Sequence, residues 1–312
     1  WNNSKITFNG KSYVWLEYFI KRIAEEQAAS GIRLLDVVDI HSYPNENKDE
    51  DIVQLHRIYF DTTYVYPGAN GVKTTSPSGW DNNITKEFIF ERCNRWLNQY
   101  MGKNHGVNFA VSEYGFTHNN ANVTAVSYAS VLGTFAEQNV EYFTPWYWHN
   151  GMWEVLHLYS RYTKTNSIKS ISSDEQTVSA YSSLNTGTDS MTIILVNRAL
   201  TATKNVNVQL TNYTAANGSY NYKQLKQLPA IETFESHTKN ALQAAAVNLS
   251  NNSFVIDLPA LSVTAVLLKG KATNTAVDEI GEKTTITIYP NPVSSRQQAL
   301  INIQGNVESE VG

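Results

Sequence analysis

The stretch Val107–Gly115, which reads VNFAVSEYG, decides the fold predicted for this chain. It begins as a short apolar run, which is typical of a strand buried on both faces of a parallel sheet. Glu113 follows this run, and a buried strand has no use for an unpaired carboxylate, because removing that charge from water is costly. At the C-terminal mouth of a parallel barrel the carboxylate faces a cleft, where catalytic residues of that architecture lie. We interpret Glu113 as a catalytic carboxylate; the alternative is a strand-end Glu that is only solvated or salt-bridged.

Two other segments repeat this pattern of a short strand that ends in polar or aromatic residues. Arg33–Pro44 reads RLLDVVDIHSYP, and Val140–Trp148 reads VEYFTPWYW. Helical apolar spacing precedes and separates the strands, over residues 14–30, 84–101 and 123–138. Right-handed crossovers between such units make the sheet parallel. Because no glycine-rich phosphate loop follows any strand, we predict a barrel rather than a doubly wound sheet.

The pattern changes near residue 160 to short strands separated by polar turns. In one of them Val206, Val208 and Leu210 alternate with polar residues, which indicates a half-buried antiparallel strand. Five or more such strands predict a β-sandwich. The predicted fold class is therefore α/β followed by all-β. Its domains are a barrel portion over residues 1–160, a β-sandwich over 161–269, and a linker with a further short segment over 270–312.

Composition excludes several classes of partner. The formal net charge is −4 and there is no basic run, so we expect neither nucleic acid nor an anionic membrane surface as a partner. No apolar stretch approaches the roughly 18 residues of a membrane span, so we expect no membrane insertion. The single cysteine, Cys93, lies in a helical pattern and is expected in the core. The 7 Trp and 18 Tyr fit a carbohydrate-handling protein, although aromatic residues also fill cores.

Three segments together resemble glycoside hydrolase family 44: Arg33–Pro44, Ser112–Tyr114 and Leu258–Leu267. The resemblance runs in matching order over about residues 12–269. It implies a secreted retaining endo-β-1,4-glucanase or xyloglucanase, with a TIM-like (β/α)8 barrel followed by a β-sandwich. Residues 1–160 would then be the C-terminal portion of the barrel, with strands six to eight. The resemblance also implies that Glu113 is the nucleophile and that the acid/base Glu, after the fourth strand, lies upstream of this chain.

Retaining glycosidases hold two carboxylates about 5–5.5 Å apart. Tyr43 and His41, at the mouth of the adjacent strand, are candidates to hold Glu113 by hydrogen bonds. The alternative for His41 is a satisfied core histidine. Three other carboxylates near strand ends are not placed as the acid/base should be: Glu154, Asp39 and Glu46.

Aromatic residues supply the predicted sugar-binding positions. Strand alternation places Trp146 and Trp148 on one face, where one or both would stack on the sugar, the alternative being barrel-core packing. Tyr114, beside the catalytic carboxylate, is a further substrate-binding candidate. Tyr64 and Trp153 are weaker candidates on loops. The expected partner is a β-glucan polysaccharide or oligosaccharide.

The segment Ile288–Val293, IYPNPV, resembles the start of the C-terminal sorting domain of type IX secretion in Bacteroidetes. This resemblance implies a secreted or cell-surface bacterial protein. Catalysis of the predicted type needs no cofactor and no metal. A structural Ca²⁺ ion is compatible with the family resemblance, although no acidic loop shows a clear ligand spacing. Two other functions stay open: a non-catalytic carbohydrate-binding protein with the same fold, and an adhesive cell-surface protein.

Three strands of an eight-stranded barrel leave an open edge and a bare core face. We therefore expect that residues 1–160 do not fold stably alone. Either an N-terminal segment is their partner, as another chain or as a part missing from this sequence, or the chain is a truncated product. A gel and an intact-mass measurement test this expectation. One folded, monomeric species with the mass of these 312 residues would contradict it.

Overall fold

The computed structural model describes residues 4–65, 67, 74–76, 79–81, 87–116, 118–273, 285–289 and 299–304. The chain divides into two compact units. The first comprises Trp1–Thr117 and Gln138–Tyr147, and the second comprises His118–Glu137 and Trp148–Gly312. The predicted domain boundaries at residues 160 and 269 stay predictions.

The first unit is mixed α/β. Its elements are β1 (Lys5–Phe8), β2 (Lys11–Val14), α1 (Trp15–Ser30), β3 (Val37–Ser42), α2 (Asp49–Ile52), a 3₁₀ helix (Leu55–Tyr59), β4 (Thr74–Ser76), β5 (Gly79–Asp81), α3 (Ile89–Met101), β6 (Asn108–Tyr114) and, after the fourth helix, β7 (Val140–Pro145). The strands β3, β6 and β7 form a parallel sheet in that order, as predicted. The helices α1 and α3 pack on each other, and β1 and β2 form an antiparallel hairpin.

The helix α1 shows what local sequence does and does not determine. It buries one side at helical spacing, at Leu16, Ile20 and Ala24. It ends at Gly31, which adopts the left-handed conformation with φ 70°, as expected for a helix C-terminus. Ser12 has the side-chain chemistry of a helix N-cap, but it does not cap this helix. Ser12 pairs with Thr7 in the β1–β2 hairpin, and Val14, which precedes the helix, makes no side-chain cap.

The parallel sheet places alternate residues of β3 on opposite faces. Val38, Ile40 and Ser42 are buried, whereas Asp39, His41 and Tyr43 are exposed. The central strand β6 buries Phe109–Val111 completely or nearly so, which confirms the prediction of a strand buried on both faces. Cys93 on α3 is fully buried and free, which confirms its predicted core position, and burial raises its pKa to about 12.

The described residues of the second unit form two helices and two sheets. Its elements are α4 (Ala121–Glu137), α5 (Met152–Tyr162), β8 (Asn166–Ile168), β9 (Val178–Leu184), β10 (Ser190–Asn197), β11 (Lys204–Leu210), β12 (Tyr213–Ala215), β13 (Gly218–Leu225), β14 (Gln243–Leu249), β15 (Ser253–Leu258), β16 (Ser262–Ala272), β17 (Thr285–Tyr289) and β18 (Ala299–Gln304). One sheet has the order β14-β13-β16-β10-β9-β8, with β12 beside β16, and the other has the order β15-β11-β18-β17.

Both sheets contribute side chains to one hydrophobic core. Val206, Val208 and Leu210 alternate into it from β11, as predicted, while Ile193 and Leu195 enter it from β10. The segment predicted to begin a sorting domain pairs within the same unit, because β18 lies parallel to β11 and antiparallel to β17. The motif residues 290–293 lie outside the described residues, and the sorting signal stays a prediction. No helix in the described part of the chain has the length and apolar character needed to cross a membrane.

Helix α4 makes a close contact with β9 at a glycine. A Cβ atom on Gly133 would lie 2.2 Å from Cγ of Tyr181, so the tyrosine ring packs directly on the helix backbone. An alanine in a helix interior is ordinarily more favourable than glycine by about 1 kcal/mol. Here the steric overlap opposes that preference.

We expect Gly133→Ala to destabilise the protein by about 1–3 kcal/mol, because the ring of Tyr181 must move away from the helix. Urea unfolding measures the change. The matched control is Gly187→Ala, where the nearest atom to the new Cβ is 3.5 Å away. A Gly133→Ala protein as stable as this control would contradict the packing argument.

Candidate active site

Two side chains of β3 and its C-terminal end contact the carboxylate of Glu113 on β6. The Tyr43 hydroxyl donates a hydrogen bond of 2.7 Å to Oε2 of Glu113. Nδ1 of His41 lies 3.2 Å from the same oxygen. The side chain of Glu113 is 29% exposed and that of His41 is 55% exposed, so His41 is not a core histidine. The structure therefore brings together the three residues that the sequence placed at the mouths of adjacent strands.

A β-bulge at Ser112 directs Glu113 to this face. In the β3–β6 ladder Ile40 pairs with Val111 and His41 pairs with Glu113, so the ladder passes over Ser112. Without the extra residue Glu113 would pair with Ser42, whose side chain is buried. Because successive side chains of a strand point to opposite faces, one inserted residue moves Glu113 from the core face to the exposed face. Sequence alternation alone gave no signal for this bulge.

The tyrosine ring beside Glu113 is held against a glycine. A Cβ atom on Gly115 would lie 3.1 Å from the Tyr147 ring and 3.2 Å from the Tyr43 ring, so both rings close over this position. Removal from water and the hydrogen bond to Glu113 raise the pKa of Tyr43 to about 12. The phenol therefore stays protonated near neutral pH and acts as a donor to the carboxylate. Tyr147 is a neighbour of the site that the sequence analysis missed.

The aromatic residues after β7 separate into two groups. The strand ends at Pro145, so the alternation that placed Trp146 and Trp148 on one face does not extend to them. Trp146 belongs to the first unit and is 59% exposed, and its backbone N–H donates to the Tyr114 carbonyl oxygen at 2.7 Å. Trp148 belongs to the second unit and stacks on Trp153, with ring centroids 4.0 Å apart. Both remain candidates for sugar stacking.

Two other predicted substrate-binding tyrosines lie elsewhere. Tyr114 is fully buried and makes edge contacts with Phe116 and Phe143, so it is a core residue, and the prediction that it binds substrate is corrected. It is the next residue after Glu113 in the strand and therefore points to the opposite face. Tyr64 is partly buried, and the guanidinium of Arg57 lies 4.3 Å from its ring centroid. Its role in binding stays a prediction.

Two of the other carboxylates near strand ends, Glu154 and Asp39, accept hydrogen bonds from neighbouring residues. Glu154 on α5 is fully buried in the second unit and accepts hydrogen bonds from Thr233 Oγ1 at 2.7 Å and from the Ala241 N–H at 2.8 Å. Asp39 on β3 accepts a hydrogen bond of 2.9 Å from the Ser112 N–H. Within the described residues no group of three or more His, Cys, Asp or Glu side chains could hold a metal ion. A structural Ca²⁺ ion stays a prediction.

The chain is similar in sequence to polysaccharide-degrading enzymes. It is 25% identical over 271 residues to β-mannanase/endoglucanase A of Caldicellulosiruptor saccharolyticus, covering 75% of this chain and 20% of that protein. It is 22% identical over 290 residues to endoglucanase A of Paenibacillus lautus, covering 84% of this chain and 38% of that protein. The chain therefore spans well under half the length of either relative. No family model matches it.

Solved structures of glycoside hydrolases share the fold. CelM2, a bifunctional glucanase-xylanase from a metagenome library, matches with a TM-score of 0.65 and 20% identity over 83% of this chain and 48% of its own. Cel44A, a family 44 endoglucanase from Clostridium thermocellum, matches with a TM-score of 0.65 and 21% identity, over 81% and 51%. A family 44 xyloglucanase from Paenibacillus polymyxa matches with 0.63 and 17%, over 81% and 50%. The chain thus has the fold of about half of each of these glycoside hydrolases.

We expect Glu154→Gln to reduce the dependence of stability on pH. Burial raises the pKa of Glu154 above its usual value of 4.5, and the nearby Glu232 adds to this, although the bonds from Thr233 and Ala241 oppose it. A carboxyl group whose pKa is raised by folding does not destabilise the protein at low pH, where it is protonated in both states. As the pH rises from the unfolded-state pKa to the folded-state pKa, the free energy of unfolding decreases. The neutral glutamine removes this loss.

Urea unfolding at a series of pH values from about 4.5 to about 7 measures the effect. The matched control is Glu235→Gln in the same unit, because Glu235 is exposed and paired with Lys239. Equal pH dependence in Glu154→Gln and the unmodified protein would contradict the assignment of Glu154 as a destabilised buried carboxyl.

Proposed function

We propose that this chain is part of a secreted retaining endo-β-1,4-glucanase of the glycoside hydrolase type, with Glu113 as its nucleophile. The observation that carries the proposal is the geometry of the Glu113 carboxylate at the C-terminal end of a parallel strand. Two donors from the adjacent strand, Tyr43 and His41, lie within reach of Oε2. Among the described residues no hydrogen bond is made to Oε1, which leaves that oxygen for attack on a sugar.

The proposed chemistry has two displacement steps. In the first, Oε1 of Glu113 forms a bond to the anomeric carbon while the bond to the leaving sugar oxygen breaks, and an acid/base carboxyl protonates that oxygen. In the second, water deprotonated by the same group displaces Glu113 and restores the carboxylate. Fixing one carboxylate oxygen holds the other in a near-attack position. This lowers the entropic part of the activation free energy of the first displacement. The proposal places the acid/base group upstream of residue 1, as the family resemblance implies.

The proposed fold and substrate class rest on the similarity of this chain to its relatives. The strands β3, β6 and β7 would be strands six to eight of a TIM-like barrel, followed by a β-sandwich. Endoglucanases and a xyloglucanase are among the relatives, which supports a β-1,4-linked glucan or xyloglucan as the substrate class. Trp146, the most exposed of the predicted stacking residues, supplies an aromatic face of the kind that sugar rings contact. The proposal also includes export and display at the cell surface, because the segment Ile288–Val293 resembles a sorting signal.

A covalent label tests the nucleophile in a reaction that does not need the acid/base group. A 2-deoxy-2-fluoro-β-cellotrioside with a dinitrophenolate leaving group reacts without protonation of that group, and the fluorine slows hydrolysis of the glycosyl-enzyme. We expect intact-mass and peptide analysis to find one sugar attached to Glu113. Glu113→Gln should take no label, because its amide oxygen is a poor nucleophile.

The matched control is Glu141→Gln, which removes an exposed carboxylate from β7 and should be labelled like the unmodified protein. Labelling at another residue would overturn the assignment of Glu113. A different outcome would overturn the enzyme proposal in favour of a non-catalytic carbohydrate-binding protein. In that outcome the unmodified protein takes no label, and it binds xyloglucan oligosaccharides as well as Glu113→Gln does.

A further inference from the structure

The bulge at Ser112 interrupts both ladders of the central strand. On the β3 side the ladder passes over Ser112, and on the β7 side Ser112 and Glu113 together face Thr144 alone. The pairs that border the bulge are Ile40–Val111 and His41–Glu113 on one side and Val111–Phe143 and Tyr114–Pro145 on the other. Ser112 therefore has no register partner in either neighbouring strand.

Side chains from both outer strands bind the backbone of Ser112 instead. Asp39 Oδ1 on β3 accepts the hydrogen bond of the Ser112 N–H at 2.9 Å. The Thr144 hydroxyl on β7 donates to the Ser112 carbonyl oxygen. Backbone polar groups that leave a ladder need such partners, and here one side chain comes from each side of the bulge. The two bonds satisfy the donor and the acceptor of the inserted residue.

Asp39 also joins the two outer strands across the central one. Ala110 on β6 pairs with Asp39 on one side and with Tyr142 on the other. Burial, together with the charge and hydrogen bond of Asp39, raises the pKa of Tyr142. The carboxylate that binds the bulge is therefore itself held by a group on β7.

We propose that Asp39 and Thr144 are positioning residues that lock the bulge at Ser112 and thereby hold Glu113 on the face of His41 and Tyr43. This inference deepens the proposed function and rests on it for its catalytic consequence. A one-residue slip of a strand moves its side chains to the opposite face. Loss of the lock would let Glu113 move toward the position opposite Ser42, away from its two donors.

The test removes each side-chain bond and restores it with a conservative substitution. Asp39→Ala removes the acceptor and Asp39→Asn keeps an acceptor oxygen. Thr144→Val removes the donor with little change of shape, and Thr144→Ser keeps the hydroxyl. The matched controls are Asp36→Ala, just before β3, and Thr7→Val in β1, which both lie at exposed positions away from the bulge.

The first readout is the pKa of Tyr43, followed by NMR with ¹³C-labelled tyrosine and assigned with Tyr43→Phe. We expect it to fall from about 12 toward the usual value of 10.0 in Asp39→Ala and Thr144→Val, because the hydrogen bond to Glu113 is lost. It should stay raised in Asp39→Asn, Thr144→Ser and both controls. A general loss of stability without loss of the bulge would not move this value.

The second readout is the rate of labelling of Glu113 by the fluorinated glycoside. We expect a decrease of about tenfold to about a hundredfold in Asp39→Ala and Thr144→Val, with recovery in the conservative variants. An unchanged Tyr43 pKa and labelling rate in both variants would overturn the lock and leave the proposed function standing.

The two proposals fail separately. If the unmodified protein takes no label while the Tyr43 pKa still falls in Asp39→Ala and Thr144→Val, the proposed function fails and the lock is supported as a structural device. If Asp39→Ala unfolds, Thr144→Val with its Thr144→Ser rescue decides the question alone, since Thr144→Val exchanges the hydroxyl that contacts Ser112 for a methyl group and Thr144→Ser keeps that hydroxyl. A Thr144→Val protein with the Tyr43 pKa of Thr144→Ser would then overturn the lock.

Discussion

The site depends on the two-residue period of a β-strand and on one interruption of it. Alternation brings His41 and Tyr43 to the same face of β3 with no special device. On β6 the same rule would place Glu113 in the core, opposite the buried Ser42. The extra residue at Ser112 resolves this conflict, because the strand can stay buried through Val111 and still deliver a carboxylate to the exposed face.

Apolar periodicity predicted the elements that the core determines. The buried run of β6, the parallel order of the three strands and the burial of Cys93 follow from residues whose packing leaves few alternatives. The bulge could not be predicted in this way, since Ser112 and Glu113 are both polar and fit either face. For the same reason Tyr114 was assigned to the site from its place beside Glu113, whereas the shifted alternation sends its ring into the core.

Other differences arise where strand pairing overrides local preference. Ser12 has the chemistry of a helix N-cap, but it lies three residues before the first helical residue, Trp15, and pairs with Thr7 in a hairpin. The Ala-rich segment within residues 240–246, which is compatible with a helical turn, pairs with β13 and forms β14. Helix propensity is a weak preference of less than about 1 kcal/mol per residue, and a full ladder of backbone hydrogen bonds outweighs it. The helix α5 was not recognised, although it buries Glu154 and His157.

The division of the site between adjacent strands has a chemical consequence. Glu113 and both of its donors come from β6, β3 and the residue that follows β3, and the side chains bound to the bulge come from β3 and β7. The orientation of the carboxylate is therefore set within one three-stranded sheet of the first unit. A proton donor contributes to departure of the leaving group and not to the aim of the nucleophile. In the proposed retaining mechanism the two halves would then be separable: the sheet would orient the attacking oxygen, and a substrate whose leaving group needs no proton would report on that orientation alone.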